Sequence, residues 1–397
     1  MIKVCIIGLG YVGMPILANL SKKYETVGYD NNSNRVDYLR KGIDIFNEFS
    51  KKDLSKIKAT FTDKLKNIKS CNLFIVTVPT PIFSNKKPNL NHLNDVCNKI
   101  SKILKKKDII IFESTVYPGI TNNFCTKILE KKSKFIEGKD FFVGYSPERV
   151  NPGDKKHGLK NINKILAYPH SYKKNDIKKL YSFLAKKIIF TNNIKEAEIA
   201  KVIENVQRDV NIGLINEFYL VSNRLNLNFE NIINLASTKW NFLKFKPGLV
   251  GGHCLPVDPY YLAHVSKKNN VQTKITLSGR STNDSMAKVV ERKILDKIKI
   301  INSKERKKIV ICGLSYKKDV ADLRNSLALK IFKNIRKKNK NIKGFDPLIN
   351  IQISKKNKLI DSYKQLSKFD IFIVLTNHTI LSRILKKYRN KDIFYPV

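Results

Sequence analysis

Apolar residues come in short unbroken runs towards both ends of the chain. Ile2-Lys-Val-Cys-Ile-Ile7, Thr26-Val-Gly-Tyr29, Leu73-Phe-Ile-Val-Thr-Val78, Ile109-Ile-Ile-Phe112 and Phe141-Phe-Val143 each read as a strand covered on both faces. Lys308-Ile-Val-Ile-Cys312, the run into Gly344-Phe-Asp-Pro347 and Asp370-Ile-Phe-Ile-Val-Leu375 repeat the pattern after residue 304. Between them, from Ile194, the period changes to that of a helix. There Ile199, Val202, Ile203, Val206, Val210 and Leu214 form an apolar stripe. Helical segments follow around residues 237–243, and Gly279-Arg-Ser-Thr-Asn-Asp-Ser-Met286 leads into another. The pattern predicts two parallel sheets separated by helices.

The turn after the first strand sharpens that picture. Gly8-Leu-Gly10-Tyr-Val-Gly13 sits between a strand and the helix-compatible Met14-Pro-Ile-Leu-Ala-Asn-Leu20. In this context Gly8 makes the turn, Gly10 lets a pyrophosphate approach the backbone, and Gly13 lets helix pack on strand. The second strand ends in Asp30, at the distance expected for a carboxylate that binds ribose hydroxyls and repels a 2′-phosphate. NAD is the expected cofactor. The expected fold class is α/β: two Rossmann-like parallel-sheet domains joined by a central helical domain with one long helix. The expected boundaries are 1–190, 191–300 and 301–397.

Ligands of such sheets lie outside the carboxyl ends of the strands. The polar loops there are Pro79-Thr-Pro81, Glu113-Ser-Thr-Val-Tyr-Pro-Gly119 and Gly144-Tyr-Ser-Pro-Glu-Arg-Val-Asn-Pro-Gly-Asp154, which offer Thr80, Thr115, Glu148 and Arg149 as lining residues. On the long helix Lys201, Asn205 and Arg208 share one face, fit to bind phosphate or an oxyanion. The segment Val250-Gly-Gly-His-Cys-Leu-Pro-Val-Asp-Pro-Tyr-Tyr261 carries a cysteine in a glycine-rich turn stiffened by Pro256 and Pro259. A thiol is a nucleophile only as thiolate and needs a polar, partly open site, which this loop offers to Cys254, with His253 beside it and Asp258 four residues on.

Length and composition narrow the classes. A chain of 397 residues with 42% hydrophobic content holds two or three domains with sizeable cores. No apolar run approaches the length that spans a bilayer, and no secretory signal pattern opens the chain, so a cytoplasmic protein is expected. The 6 cysteines contain no C-x-x-C pair, and adjacent His253 and Cys254 cannot fill a tetrahedral shell, so no metal is expected. The net charge of +43 comes mostly from lysines spread through every segment, without interleaved aromatics. It argues against nucleic acid as a partner and for a field that gathers anionic nucleotides.

The chain resembles the UDP-glucose/GDP-mannose dehydrogenase family over essentially its whole length. It is most similar to the branch acting on UDP-N-acetylhexosamines for surface polysaccharides, the Vi-antigen type. The resemblance rests on Gly8–Gly13, Val78-Pro-Thr-Pro81, Glu113–Gly119, Tyr145-Ser-Pro-Glu-Arg149 with Asn151-Pro-Gly-Asp154, Ala200–Asn205 with Gln207-Arg-Asp209, Lys239-Trp-Asn-Phe-Leu243, and Gly251–Cys254 with Val257–Tyr261. It implies oxidation of a sugar C6 alcohol to a carboxylate with two NAD and one water. In that chemistry Cys254 forms a thiohemiacetal and then a thioester, while Lys201 and Asn205 match the oxyanion donors. Thr115, Glu148 and Asp258 match the positions that handle water and protons. Tyr11, Val12, Asp30, Arg35, Thr80 and Thr115 match NAD contacts. Arg149, Val150, Lys201, Asn205, Arg208, Gly251, Lys317 and Arg324 match substrate contacts. A UDP-sugar substrate and a homodimer joined through the long helix are implied partners. Two departures stand out: Pro256 replaces a glycine more usual in that branch, and Leu166-Ala-Tyr-Pro-His170 replaces a Gly/Ser-rich turn. UDP-GalNAc or UDP-GlcNAc is the expected substrate. The alternatives are UDP-glucose, UDP-ManNAc, or nucleotide-sugar binding without turnover.

Overall fold

A computed structural model describes residues 1–46, 48–150, 158–302 and 307–397. The chain forms two compact units, Met1–Glu204 with Tyr260–Val271, and Asn205–Pro259 with Gln272–Val397.

The first unit is built on an eight-stranded sheet in the order β3-β2-β1-β4-β5-β6-β7-β8. Its strands are β1 Lys3–Ile7, β2 Glu25–Tyr29, β3 Ala59–Thr62, β4 Leu73–Val76, β5 Ile109–Phe112, β6 Phe142–Tyr145, β7 Asn163–Ala167 and β8 Lys187–Thr191. The first six strands have the order of a dinucleotide-binding sheet, with the switch point between β1 and β4. Side chains alternate between two apolar layers: Cys5 and Ile7 join one, Val4 and Ile6 the other. That double covering is why the strands read as unbroken apolar runs. The sheet is not wholly parallel. β7 pairs antiparallel with β6, and β8 runs parallel to β7. Leu166 and Ala167 lie in β7, and Tyr168 is fully buried, so this stretch is strand and core rather than turn.

The second unit holds a four-stranded parallel sheet, β10-β9-β11-β12, from β9 Ile309–Cys312, β10 Lys343–Phe345, β11 Ile371–Val374 and β12 Asp392–Phe394. The helix Lys274–Asn302 supplies Ala287, Val290, Ile294 and Ile298 to its core, and it begins before Gly279 rather than after Met286. Residues 303–306, where the second α/β unit was expected to start, lie outside the described residues.

The long helix spans Ile194–Arg224. In the second unit it crosses the helix Lys274–Asn302 at two glycines. A Cβ on Gly213 would stand 2.7 Å from the Gly279 carbonyl oxygen, so only glycine permits that approach. The apolar stripe divides. Val202 and Val206 are buried, but Ile203 is 52% and Leu214 47% exposed. The inward positions include polar Glu198, Lys201, Asp209 and Asn216, and a second apolar face of Ile203, Leu214, Phe218, Val221 and Leu225 looks outward. Among the described residues no helix is long and apolar enough to cross a membrane.

Candidate active site

In the first unit the turn after β1 is shaped for a dinucleotide. Gly8 has φ +97° and donates its N–H to Tyr29 O at 2.8 Å. A Cβ on Gly13 would lie 1.9 Å from Gly8 O, so only glycine lets the helix Gly13–Leu20 start there. A Cβ on Gly10 would meet nothing within 4 Å, which leaves space above the loop backbone. Val12 immediately precedes the helix. Half-buried Asp30 accepts from Leu9 N–H at 2.8 Å and Asn32 N–H at 2.9 Å. Arg35 is buried. Its Nε donates to Leu9 O at 2.9 Å, its Nη1 to Asp44 at 2.7 Å, and the guanidinium covers the Phe46 ring, which packs on Tyr11 at 4.6 Å. Its Nη2 makes no hydrogen bond among the described residues. The open backbone at Gly10, the carboxylate of Asp30 and the orphaned Nη2 suit a dinucleotide's phosphates and ribose.

The loops after β4, β5 and β6 are tied to one another. Thr80 Oγ1 donates to Thr115 O at 2.6 Å, and Tyr261 donates to Thr80 O at 2.7 Å. Glu148 Oε1 accepts from the N–H groups of Arg149 and Val150. Arg149 pairs with Glu204 at 2.8 Å and donates to Asn163 O at 3.0 Å. Glu198 accepts from Gly119 and Thr121 N–H. Burial pushes its carboxyl up against the pull of those donors. Lys201 is buried one turn further along the same helix. Asn151-Pro-Gly-Asp154 lies outside the described residues.

In the second unit Gly252, at φ +94°, passes over the Tyr316 ring, where a Cβ would come within 2.7 Å. A Cβ on Gly251 would stand 2.8 Å from Asn325 O. Cys254 follows and is exposed, whereas the other five cysteines are buried. Its carbonyl accepts from both Val257 and Asp258 N–H at 2.9 Å, so one turn leads from the thiol into the helix Asp258–Lys268. Asp258 is 1% exposed and accepts from Asn205 Nδ2 at 2.5 Å. Arg208 is exposed on the long helix, and Lys317 is half-buried on the loop after β9.

Several residues that shape this loop were not foreseen from the sequence. Buried Asp322 takes Arg324 through Nε and Nη2, the latter at 2.8 Å, and stands 3.4 Å from His253 Nε2. Burial pushes the Asp322 carboxyl up, but hydrogen bonds from His253 and Arg324 overcome it and hold the group well below the usual range. Asn216 clamps Gly248 through both its amide atoms, at 2.8 and 3.1 Å. Fully buried Arg280 pairs with Asp209 beneath the loop. Asp322, two residues before Arg324, was the one readable signal. The others join residues distant in sequence.

Residues 2–185 match the NAD binding domain of the UDP-glucose/GDP-mannose dehydrogenase family, residues 195–285 its central domain and residues 310–394 its UDP binding domain. The chain belongs to this family. It is 42% identical over 358 residues to the UDP-N-acetyl-D-glucosamine 6-dehydrogenase of Pseudomonas aeruginosa, covering 88% of this chain and 84% of that one. It is 39% identical to the Salmonella typhi enzyme of the same name, over 95% and 90% of the two chains. Among solved structures, the UDP-D-ManNAc dehydrogenase of Pyrococcus horikoshii matches with a TM-score of 0.83 and 31% identity, over 97% of this chain and 93% of that one. As a family member the chain is an NAD-dependent nucleotide-sugar dehydrogenase with a UDP-sugar substrate. The Gly8–Gly13 turn and Asp30 would hold NAD, which supplies a hydride acceptor.

Proposed function

We propose that the protein oxidises C6 of a UDP-N-acetylhexosamine, UDP-GlcNAc or UDP-GalNAc, from alcohol to carboxylate for surface polysaccharide synthesis. The observation that carries the chemistry is the exposed Cys254 thiol one helical turn before buried Asp258, itself hydrogen-bonded to Asn205. The acetamido-sugar activities named for the bacterial relatives support the substrate class.

The overall change converts R–CH2OH, two NAD and one water into R–COO⁻, two NADH and three protons. Cys254 sulfur adds to the aldehyde carbon after the first oxidation, so the aldehyde stays bound as a thiohemiacetal. Loss of the second hydride leaves a thioester. Water then attacks its carbonyl carbon, the C–S bond breaks, and the thiol is restored. Lys201 and Asn205 donate to the oxygen that gains charge at each addition. Thr115, Glu148 and Asp258 move the protons and orient the water. Arg149, Val150, Arg208, Gly251, Lys317 and Arg324 contact the nucleotide-sugar, the arginines through the geometry that suits phosphate. In this reading residues 1–190 bind NAD, 191–300 carry the long helix and the thiol, and 301–397 bind UDP.

UDP-ManNAc is a second reading, supported by the name of the Pyrococcus horikoshii neighbour. A homodimer through the long helix is supported by its outward apolar face, where Phe218 is 43%, Val221 52% and Leu225 61% exposed.

Replacement of the nucleophile tests the mechanism. Cys254→Ser is expected to abolish uronate formation while NAD and UDP still bind, measured by product chromatography and calorimetry. Wild-type turnover in that variant would remove Cys254 from the mechanism.

A further inference from the structure

Beneath the loop after β6, the first unit buries an ionic cluster in which Lys164, Glu113 and Tyr181 surround Glu148 and have no role above. Lys164 on β7 is fully buried. Its Nζ donates to Glu113 Oε2 at 2.6 Å and to Pro147 O at 3.2 Å, and it stands 3.6 Å from Glu148 Oε2. Tyr181, also fully buried, donates to Glu113 Oε1 at 2.8 Å. A buried ammonium costs several kcal/mol unless it is paired and hydrogen-bonded. Here one ammonium faces two carboxylates and a carbonyl.

The direction of each titration follows. Burial alone disfavours the Lys164 ammonium, yet the charges of Glu113 and Glu148 outweigh it and hold the group above its ordinary value. Burial pushes the Glu113 carboxyl up, and Glu148 adds to that push against the pull of Lys164. The lysine is therefore the fixed charge of the cluster.

Glu148 is gripped on both sides. Its Oε1 takes the N–H groups of Arg149 and Val150, and its Oε2 faces Lys164. The same ammonium holds Pro147 O, the carbonyl just before it. Among the described residues, the charged and titratable groups around Glu148 are Lys164 from β7, Glu113 from the end of β5, Tyr181 from the helix Lys174–Leu184, and Arg149 with its partner Glu204.

We propose that Lys164 is a positioning residue for Glu148: its ammonium, held between the Glu148 carboxylate and Pro147 O, fixes where that carboxylate stands to accept a proton from the hydrolytic water, and Glu113 balances that ammonium. This rests on the assignment of Glu148 to proton handling. In the step concerned, water oxygen bonds to the thioester carbon, one water proton passes to Glu148, the C–S bond breaks with its electron pair going to sulfur, and the second water proton passes to that sulfur, which leaves the carboxylate and the Cys254 thiol.

The test removes both buried charges together, since Lys164→Met alone would strand two carboxylates. Lys164→Met/Glu113→Gln is expected to bind NAD and UDP-sugar as the wild type does. Its kcat is expected to fall about 10- to 100-fold, part of the 10²–10⁴-fold that a general base supplies. KM is expected to stay within about threefold, because the lost interaction acts in the reaction rather than in binding. Cys254 thioester is expected to accumulate in acid-quenched protein. Added to Glu148→Gln, the pair of substitutions is expected to cost nothing further, because both act through one carboxylate. Losses that multiply, or a pair variant with wild-type kcat, would overturn the proposal. Wild-type kcat in Glu148→Gln alone would instead remove the assignment on which it rests, and the proposal with it. A second variant, Lys164→Ala, leaves a cavity for a small cation. Recovery of kcat with n-propylammonium but not with n-butanol is expected, and equal effects of the two would count against a charge-borne role.

Discussion

The two parallel sheets build their first turns with one device and then use it differently. In the first, Gly8 N–H donates to Tyr29 O, and Leu9 N–H to the carboxylate of Asp30 at 2.8 Å. In the second, Gly313 N–H donates to Phe345 O, and Leu314 N–H to the carboxylate of Asp346 at 2.7 Å. Asp30 stays half-buried beside the open backbone of Gly10. Asp346 is 2% exposed, and its Oδ2 also receives Ser315 N–H, the Ser315 hydroxyl and His378 Nε2 at 3.2 Å. His378 accepts the Asp319 N–H at its Nδ1, which leaves Nε2 as the protonated nitrogen facing Ser315 and Asp346. The loop after β11 thus seals the place where the first sheet leaves room. A strand-turn-acid pattern makes a sheet of this class, but a ribose site needs the acid to keep free acceptor capacity. That difference places NAD on the first sheet.

Blocking each turn in separate variants tells their roles apart with the largest effect. Gly13→Ala puts a methyl 1.9 Å from Gly8 O, and Gly313→Ala puts one 1.9 Å from Thr376 O at a φ of +72°. Each is expected to cost about 3 kcal/mol or more through overpacking and strain. Only Gly13→Ala is expected to abolish NAD binding measured by calorimetry. Equal loss of NAD affinity in Gly313→Ala would show that the second turn also serves the cofactor.

A smaller effect isolates the carboxylates. Asp30→Asn keeps an oxygen for Leu9 N–H but loses the charge proposed to receive the ribose hydroxyls, so KM for NAD is expected to rise about 10- to 100-fold. Asp346→Asn is expected to leave that KM within about twofold. Its cost falls on stability instead. One oxygen of Asp346 accepts Leu348 N–H at 3.0 Å, and an amide nitrogen on either side would face a donor. A loss of about 1–3 kcal/mol near neutral pH is expected from thermal unfolding.

The smallest effect is the pH dependence of that loss. Burial pushes the Asp346 carboxyl up, but hydrogen bonds from His378, Leu348 and Ser315 prevail and hold it below its ordinary value. A depressed acid stabilises the fold above the unfolded value near pH 4, and the contribution fades as pH falls through the folded value. The gap between wild type and Asp346→Asn is therefore expected to narrow below about pH 4. A gap that widens in acid would contradict the assignment.

What could be read from the sequence was local. The glycine turn, Asp30 and the Cys254 loop declare themselves because special backbone geometry and nucleophile chemistry leave few residue choices at fixed spacing. The period of the long helix is equally plain, but in the sequence its apolar stripe reads as one face. The helix carries two apolar faces, and several of its inward positions are polar. β7 escaped notice because Lys164 interrupts its apolar run, and a lysine reads as solvent-facing until Glu113 is seen 2.6 Å away. The antiparallel β6–β7 pairing, the Asp322 hub and the His378 seal each join segments far apart in the chain. Short-range pattern cannot carry them.

A four-electron oxidation of an acetamido UDP-sugar has a fixed NADH stoichiometry, and counting NADH distinguishes it from a two-electron oxidation. Purified protein is given limiting UDP-GlcNAc, UDP-GalNAc, UDP-ManNAc, UDP-glucose or GDP-mannose with excess NAD, and NADH is counted against sugar consumed. Two NADH per sugar with UDP-GlcNAc or UDP-GalNAc and a uronate product are expected. Turnover with UDP-glucose alone, or one NADH per sugar with an aldehyde released, would contradict that expectation.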